Sequence, residues 1–130
     1  MAIDEIKKRS CSLLAAMTVV SLAYAAKPWD GSYATFKGEY LIYSGDLGDE
    51  AAPTSSDRKT AFMLEGDVAK NLFESIGPDL KDACGTSSGT RLRQKGNLDC
   101  TYYKGAKSSP YVCHFGINLQ TGKGINGSIC

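Results

Sequence analysis

Four cysteines, Cys84, Cys100, Cys113 and Cys130, are separated by 15, 12 and 16 intervening residues. That spacing restricts the fold more than any other feature. Structural zinc sites use close pairs such as C-x₂-C, and none is present; redox C-x-x-C pairs are missing too. An even set of widely spaced cysteines in a small exported domain reads as a disulfide framework. A fifth cysteine, Cys11, would make the count odd, but it sits in a segment with a different task. "MAIDEIKKRS" ends in Lys7, Lys8 and Arg9, and the apolar "CSLLAAMTVVSLAYAA" follows, closing on Ala23-Tyr24-Ala25. Basic, apolar and A-x-A parts in that order predict a secretory leader over 1–25, removed after Ala25. Its apolar run of 16 residues is short of the roughly 20 needed to span a bilayer. The processed protein is therefore expected in the periplasm or outside the cell, and not as an integral membrane protein.

The remaining chain, 26–130, is one domain's worth of sequence. The leader carries three basic and two acidic residues, which leaves twelve Lys/Arg against twelve Asp/Glu. A neutral chain has no bulk field to steer it toward nucleic acid, so only a local patch could meet an anionic partner.

Element signals follow in order along the chain. "SYATFKGEYLIYSG" (32–45) and "RKTAFMLEG" (58–66) are rich in aromatic and β-branched residues and read as strands. "DLGDEAAPTSSD" (46–57) between them reads as a loop. Val68, Ala69, Leu72, Phe73 and Ile76 then lie on one face at helical spacing, which predicts the principal helix at about 67–76. Asp67 is its expected N-cap and Gly77-Pro78 its stop. "DLKDAC" (79–84) could add one more turn. "GTRLRQ" and "LDCTYY" form a hairpin around Lys95-Gly96-Asn97. A three-residue loop sets Leu92 opposite Cys100, whereas a two-residue loop at Gly96-Asn97 sets Arg93 there and mixes the faces; burial favours the former. On the next strand Tyr111, Cys113, Phe115 and Ile117 point inward, with Val112, His114 and Asn118 on the other face. "QTGKGING" (120–127) is a Gly-rich turn region before a last short extended piece.

The fold class is thus α+β: a small, mostly antiparallel sheet with one principal helix, stapled by two disulfides. Among the three connectivities, Cys100–Cys113 with Cys84–Cys130 is favoured, because Cys100 and Cys113 fall opposite one another in a symmetric hairpin around "KGAKSS" (104–109). Closing those loops contributes about 3 and about 4 kcal/mol, and in every connectivity Cys130 is tethered. The framework "C…RLRQKGNLDC…YVCHFGINLQTGKG…IC", after "FMLEGDVAKNLFESI", resembles small exported bacterial proteins of uncharacterised function. The resemblance spans roughly 58–130 and implies no functional residue.

No catalytic chemistry is legible. His114 is the single histidine, no nucleophile motif such as G-x-S-x-G is present, and the cysteines are committed. An enzyme, a cofactor and a metal are not expected, although Asp46, Asp49 and Glu50 form an acidic loop of the kind that collects a cation. Binding has better candidates. Arg91, Arg93 and Lys95 alternate along one strand, Lys104 and Lys107 extend them, and Tyr102, Tyr103 and Tyr111 lie in the same hairpin. This is either a solvated face or a docking strip for an anionic partner such as a glycan, a lipid headgroup or an acidic protein surface. On that reading its arginines could be removed with little loss of stability. Trp29 and Tyr33 add an aromatic arm. The function expected is an exported, non-catalytic binding protein of the cell envelope, such as an inhibitor or immunity-type protein acting on another envelope or extracellular protein. The alternatives are a structural envelope protein and, behind it, a small hydrolase or ligand carrier, which would need a second titratable group beside His114.

Overall fold

The computed structural model describes residues 28–129; the leader expected over 1–25, Cys11 and Cys130 lie outside them. Residues 1–32 and 33–130 form separate units. Of the first, only 28–32 are described, an irregular stretch in which Asp30 accepts the Ser32 N–H at 2.9 Å. The second contains β1 (Lys37–Asp46), β2 (Asp49–Ala51), β3 (Lys59–Glu65), α1 (Asp67–Ser75), β4 (Thr90–Lys95), β5 (Leu98–Tyr103), β6 (Tyr111–Asn118) and β7 (Gly124–Ile125). The strands form one antiparallel sheet in the order β2-β1-β3-β6-β5-β4, and β7 pairs with β6 beyond the end of β5. The α+β class and the helix are as the sequence indicates. The 46–57 segment differs: it contains β2, which hairpins onto Ser44–Asp46. Its three residues are too few to show an alternation.

Cys100 and Cys113 sit directly opposite one another on β5 and β6 and are disulfide-bonded, with Cα atoms 4.0 Å apart. So close an approach belongs to a non-hydrogen-bonded antiparallel pair. The expected pairing of these two holds. Cys84 is not a free thiol; its expected partner, Cys130, lies outside the described residues.

The helix packs on the disulfide. Ala69 and Phe73 are buried against Leu64, Cys100 and Cys113, with Val68, Leu72, Tyr102, Tyr111 and Phe115 around them. Ala69 is small enough to bring its carbonyl within 3.3 Å of Cys113 Sγ. Gly66, not Asp67, is the N-cap: it has φ 70 and no side-chain cap bond. Asp67 is instead the first helical residue, where its charge favours the positive end of the helix. Ile76 is extended and ends the helix before Gly77-Pro78, and 79–84 contains no further helical turn.

The β4–β5 turn also differs from expectation. Lys95 pairs with Leu98, so the loop is the two residues Gly96-Asn97, and Arg93 rather than Leu92 faces Cys100. Gly96, at φ 58, supplies the positive φ that a hairpin turn with glycine at its first central position needs. The faces mix because the arginine has a partner there. Arg93 Nη1 donates to the carbonyls of Phe73 (2.9 Å) and Ile76 (3.0 Å), and Nε donates to Asp79 Oδ1 (2.6 Å). Its guanidinium lies 4.3 Å from the Phe73 ring centroid. Arg91, on the same face, holds both Asp79 oxygens (2.7 and 3.2 Å). A helix end leaves carbonyls without partners, and α1 has no basic residue in its last turn. The sheet supplies the missing cation.

Two outcomes follow from this clamp. Arg93, whose side chain is only 19% exposed, should lose about 2 kcal/mol on change to Ala, since buried carbonyls and a carboxylate lose charge-assisted partners; urea unfolding measures this. Hydrogen bonds from Arg91 and Arg93 lower the Asp79 carboxyl from 3.8 to about 2. A group depressed in the folded state stabilises above its unfolded value, and that contribution is lost as pH falls through the folded one. Stability should therefore decline between about pH 4 and pH 2, and the Asp79→Asn protein should show a shallower decline in acid melts.

Candidate functional site

Of the arginines placed on a docking strip by the sequence, Arg91 is exposed and Arg93 mostly buried, and both have partners. Arg91 and Arg93 are spent on Asp79 and the end of α1. Lys95 is exposed at one end of the β4–β5 hairpin, while Lys104 and Lys107 are exposed beyond its other end, where Lys104 N–H donates to Gly89 O. The tyrosines divide as well. Tyr102 and Tyr111 lie 5.0 Å apart in the core and both pack on Phe73, whereas Tyr103 is exposed on the reverse face. Trp29 and Tyr33 are exposed. In the acidic hairpin, Glu50 accepts the Gly48 N–H at 2.7 Å, which holds its carboxyl below the usual range. Among the described residues no three His, Cys, Asp or Glu side chains are arranged to hold a metal ion.

What the structure does assemble lies on the face of the sheet opposite α1. Alternation along β5 and β6 puts Cys100 and Cys113 under the helix, so Asp99 and His114, which pair across the two strands, point the other way. They floor a cleft of about 330 Å³ together with Leu92, Gln94, Thr101 and Tyr103. One wall is the segment after α1, through Leu80, Ala83 and Cys84; the other is the C-terminal segment, through Asn126, Ser128 and Ile129. Leu80 N–H donates to Leu92 O at 2.8 Å, which fixes the first wall to the β4 edge. The second wall lies so close to β6 that glycines are required at the contact. A Cβ on Gly127 would sit 2.3 to 2.5 Å from the Phe115 backbone, and one on Gly116 would sit 3.0 Å from Asn126 O.

Asp99 is the centre of the floor. Its Oδ1 is 3.3 Å from His114 Nδ1 and its Oδ2 accepts the Ser128 hydroxyl at 2.7 Å. The carboxylate is 15% exposed and the imidazole 23%. Serine, aspartate and histidine together suggest acyl-transfer chemistry, but their order differs from that of a hydrolytic triad. There the imidazole stands between the other two and takes the serine proton. Here the carboxylate is in the middle and Ser128 donates to it, so the hydroxyl is held by an acceptor and not activated by a base. The arrangement fixes a carboxylate and an imidazole at the bottom of a cleft with both polar and apolar walls. That suits a ligand group carrying hydroxyl or ammonium donors.

Sequence reasoning missed Asp99 and Ser128. The signal for Asp99 was present, because pairing Cys100 with Cys113 necessarily pairs Asp99 with His114 in an antiparallel ladder. Ser128 had none, since its position depends on how the last segment packs. Comparison with family profiles, curated proteins and solved structures finds no match.

Gly127→Ala tests how the second wall is held. Its Cβ would force the C-terminal segment from β6, so about 2 kcal/mol of stability should be lost, as for overpacking at a backbone contact. In NMR spectra the Asp99, His114 and Ser128 signals should shift while those of α1 stay in place.

Proposed function

We propose that the protein is an exported, non-catalytic binding protein of the cell envelope, and that it engages another protein through the cleft around Asp99 and His114. The observation that carries this reading is the arrangement of Asp99 between Ser128 and His114, which supplies fixed polar groups but no presented nucleophile. A cleft of about 330 Å³ is wide enough for one side chain of a partner's loop and sits at the lower end of the range for small ligands. An inhibitor or immunity-type protein needs such a feature on a scaffold that does not yield. The leader, the neutral charge and the resemblance to small exported bacterial proteins support the location.

A second disulfide, Cys84–Cys130, completes this reading. Cys84 stands in one wall of the cleft, and Cys130 follows Ile129 in the other. A bond between them would tie the two walls together. Peptide mapping of non-reduced protein should find Cys84 and Cys130 in one linked peptide; a free thiol at either position in the exported protein would argue against the closure.

A small hydrolase is the second reading, favoured by the Asp99–His114 contact alone. One pair of experiments separates the two. Immobilised protein should retain a stoichiometric partner from an envelope extract, and Asp99→Asn or Thr101→Tyr, which alter or fill the cleft, should lose it. Turnover of ester, amide or glycoside substrates that vanishes in His114→Ala would instead establish an enzyme.

A further inference from the structure

The two edges of the sheet are treated differently, and the difference points to an assembly. Hydrogen-bonding direction alternates along each strand, and the Cys100–Cys113 pair sets its phase. Those cysteines occupy a non-hydrogen-bonded site, so on β6 the odd-numbered residues direct their N–H and C=O groups toward β3. The Leu119 N–H, which donates to Arg58 O at 2.9 Å, agrees. Carried through β3, the same alternation directs Lys37, Glu39, Leu41 and Tyr43 of β1 toward β3. At the far end of β1 the phase is confirmed: Gly45 N–H meets Asp57 and Gly45 O meets Lys59, both at 2.7 Å. Gly38, Tyr40 and Ile42 therefore direct their backbone groups outward.

On the β4 edge two of the equivalent groups have partners: Leu92 O accepts from Leu80 at 2.8 Å, and Thr90 N–H donates to Ser87 O at 3.0 Å. On the β1 edge, β2 covers only Ser44–Asp46. From Gly38 to Ile42 no described residue meets the outward groups. Unpaired edges of this length invite another strand. Large apolar side chains are exposed on the same stretch, with Phe36 63% and Tyr40 71% accessible on the α1 side of the sheet.

We propose that the protein forms a two-fold dimer in which β1 pairs antiparallel with β1 of a second copy, Gly38 facing Gly38. The charges choose both the occupant and the register. About Gly38 the sequence reads Phe36-Lys37-Gly38-Glu39-Tyr40. Antiparallel pairing on that centre sets Lys37 against Glu39 of the second copy, twice, and Phe36 against Tyr40, twice. Opposite charges and aromatic pairs are the cross-strand neighbours that stabilise a ladder. A register centred on Tyr40 sets Glu39 against Leu41 and Lys37 against Tyr43, and loses both charge pairs. Gly38 carries no side chain, so the two aromatic pairs can close over the axis. Glu39 makes no ion pair among the described residues and is free for this one; Lys37 holds Glu65 at 2.9 Å but remains mostly exposed. Such an interface is isologous and closes on itself, which ends the growth an open edge would otherwise allow.

Charge reversal tests the register directly. Sedimentation velocity over a concentration series should show the exported protein as a dimer. Glu39→Lys and Lys37→Glu should each weaken it by about tenfold, because each creates two like-charge pairs across the axis. An equimolar mixture of the two variants should restore the dimer, since every cross-axis pair is then Lys against Glu. Tyr40→Arg, at an exposed position, should also yield monomer, and unchanged circular dichroism in each variant shows that the fold is intact. A wild-type protein that stays monomeric at every concentration overturns the proposal, as does a mixture no more dimeric than its components.

Discussion

The Cys100–Cys113 bond sets the phase of the whole sheet. A disulfide between directly opposed residues fits only a non-hydrogen-bonded site of an antiparallel ladder, and every other strand inherits that choice. It places both sulfurs under α1 and so sends Asp99 and His114 to the reverse face. With the Gly96-Asn97 turn, the neighbour of Cys100 on the helix side is Arg93. Three strands away the disulfide decides which backbone groups of β1 look outward. One covalent contact thus settles the core, the cleft and the edge together.

The helix face is committed to stability. A helix of nine residues is too short to persist by itself, so α1 depends on what it covers and on how its end is satisfied. Phe73 does the first, wedged between Tyr111 and Tyr102 with Arg93 over its ring. Arg93 does the second, from a strand far away in sequence. Two arginines sharing one carboxylate form a network, and such groups are worth more than isolated surface pairs. With that face filled, the cleft lies on the other one, and the groups that form its floor come from the same strands whose opposite sides pack on the helix.

How far the chain could be read depends on the reach of each signal. The face of α1 was legible because Ala69, Phe73 and Ile76 repeat at helical spacing, and β6 because Tyr111, Cys113 and Phe115 alternate. The β4 register was misread because burial and turn chemistry disagreed. Burial put Leu92 inward, while Gly96-Asn97 is itself a two-residue hairpin turn. The turn prevailed, since Arg93 found carbonyls and a carboxylate inside and lost nothing by facing the core. Asp79, the acid that makes this tolerable, lies beyond Gly77-Pro78, where periodicity says nothing. The pairing of Arg91 and Arg93 with Asp79 was illegible for the same reason: charge spacing along a strand does not reveal a partner fourteen residues away.

The cleft raises a related problem of design. A carboxylate that is mostly shielded from water is costly unless donors surround it, and Asp99 receives the Ser128 hydroxyl and faces His114. Ser128 can supply its donor only while the last segment stays on β6, and Gly127 and Gly116 allow that contact by lacking side chains. The chain therefore holds its reverse face by close backbone approach rather than by a second apolar core. This explains how so small a domain can keep a hollow open: the groups lining it are fixed by strands below and by a closely packed segment at the side. Glycine at two positions on one wall is then a requirement of the site as much as of the fold.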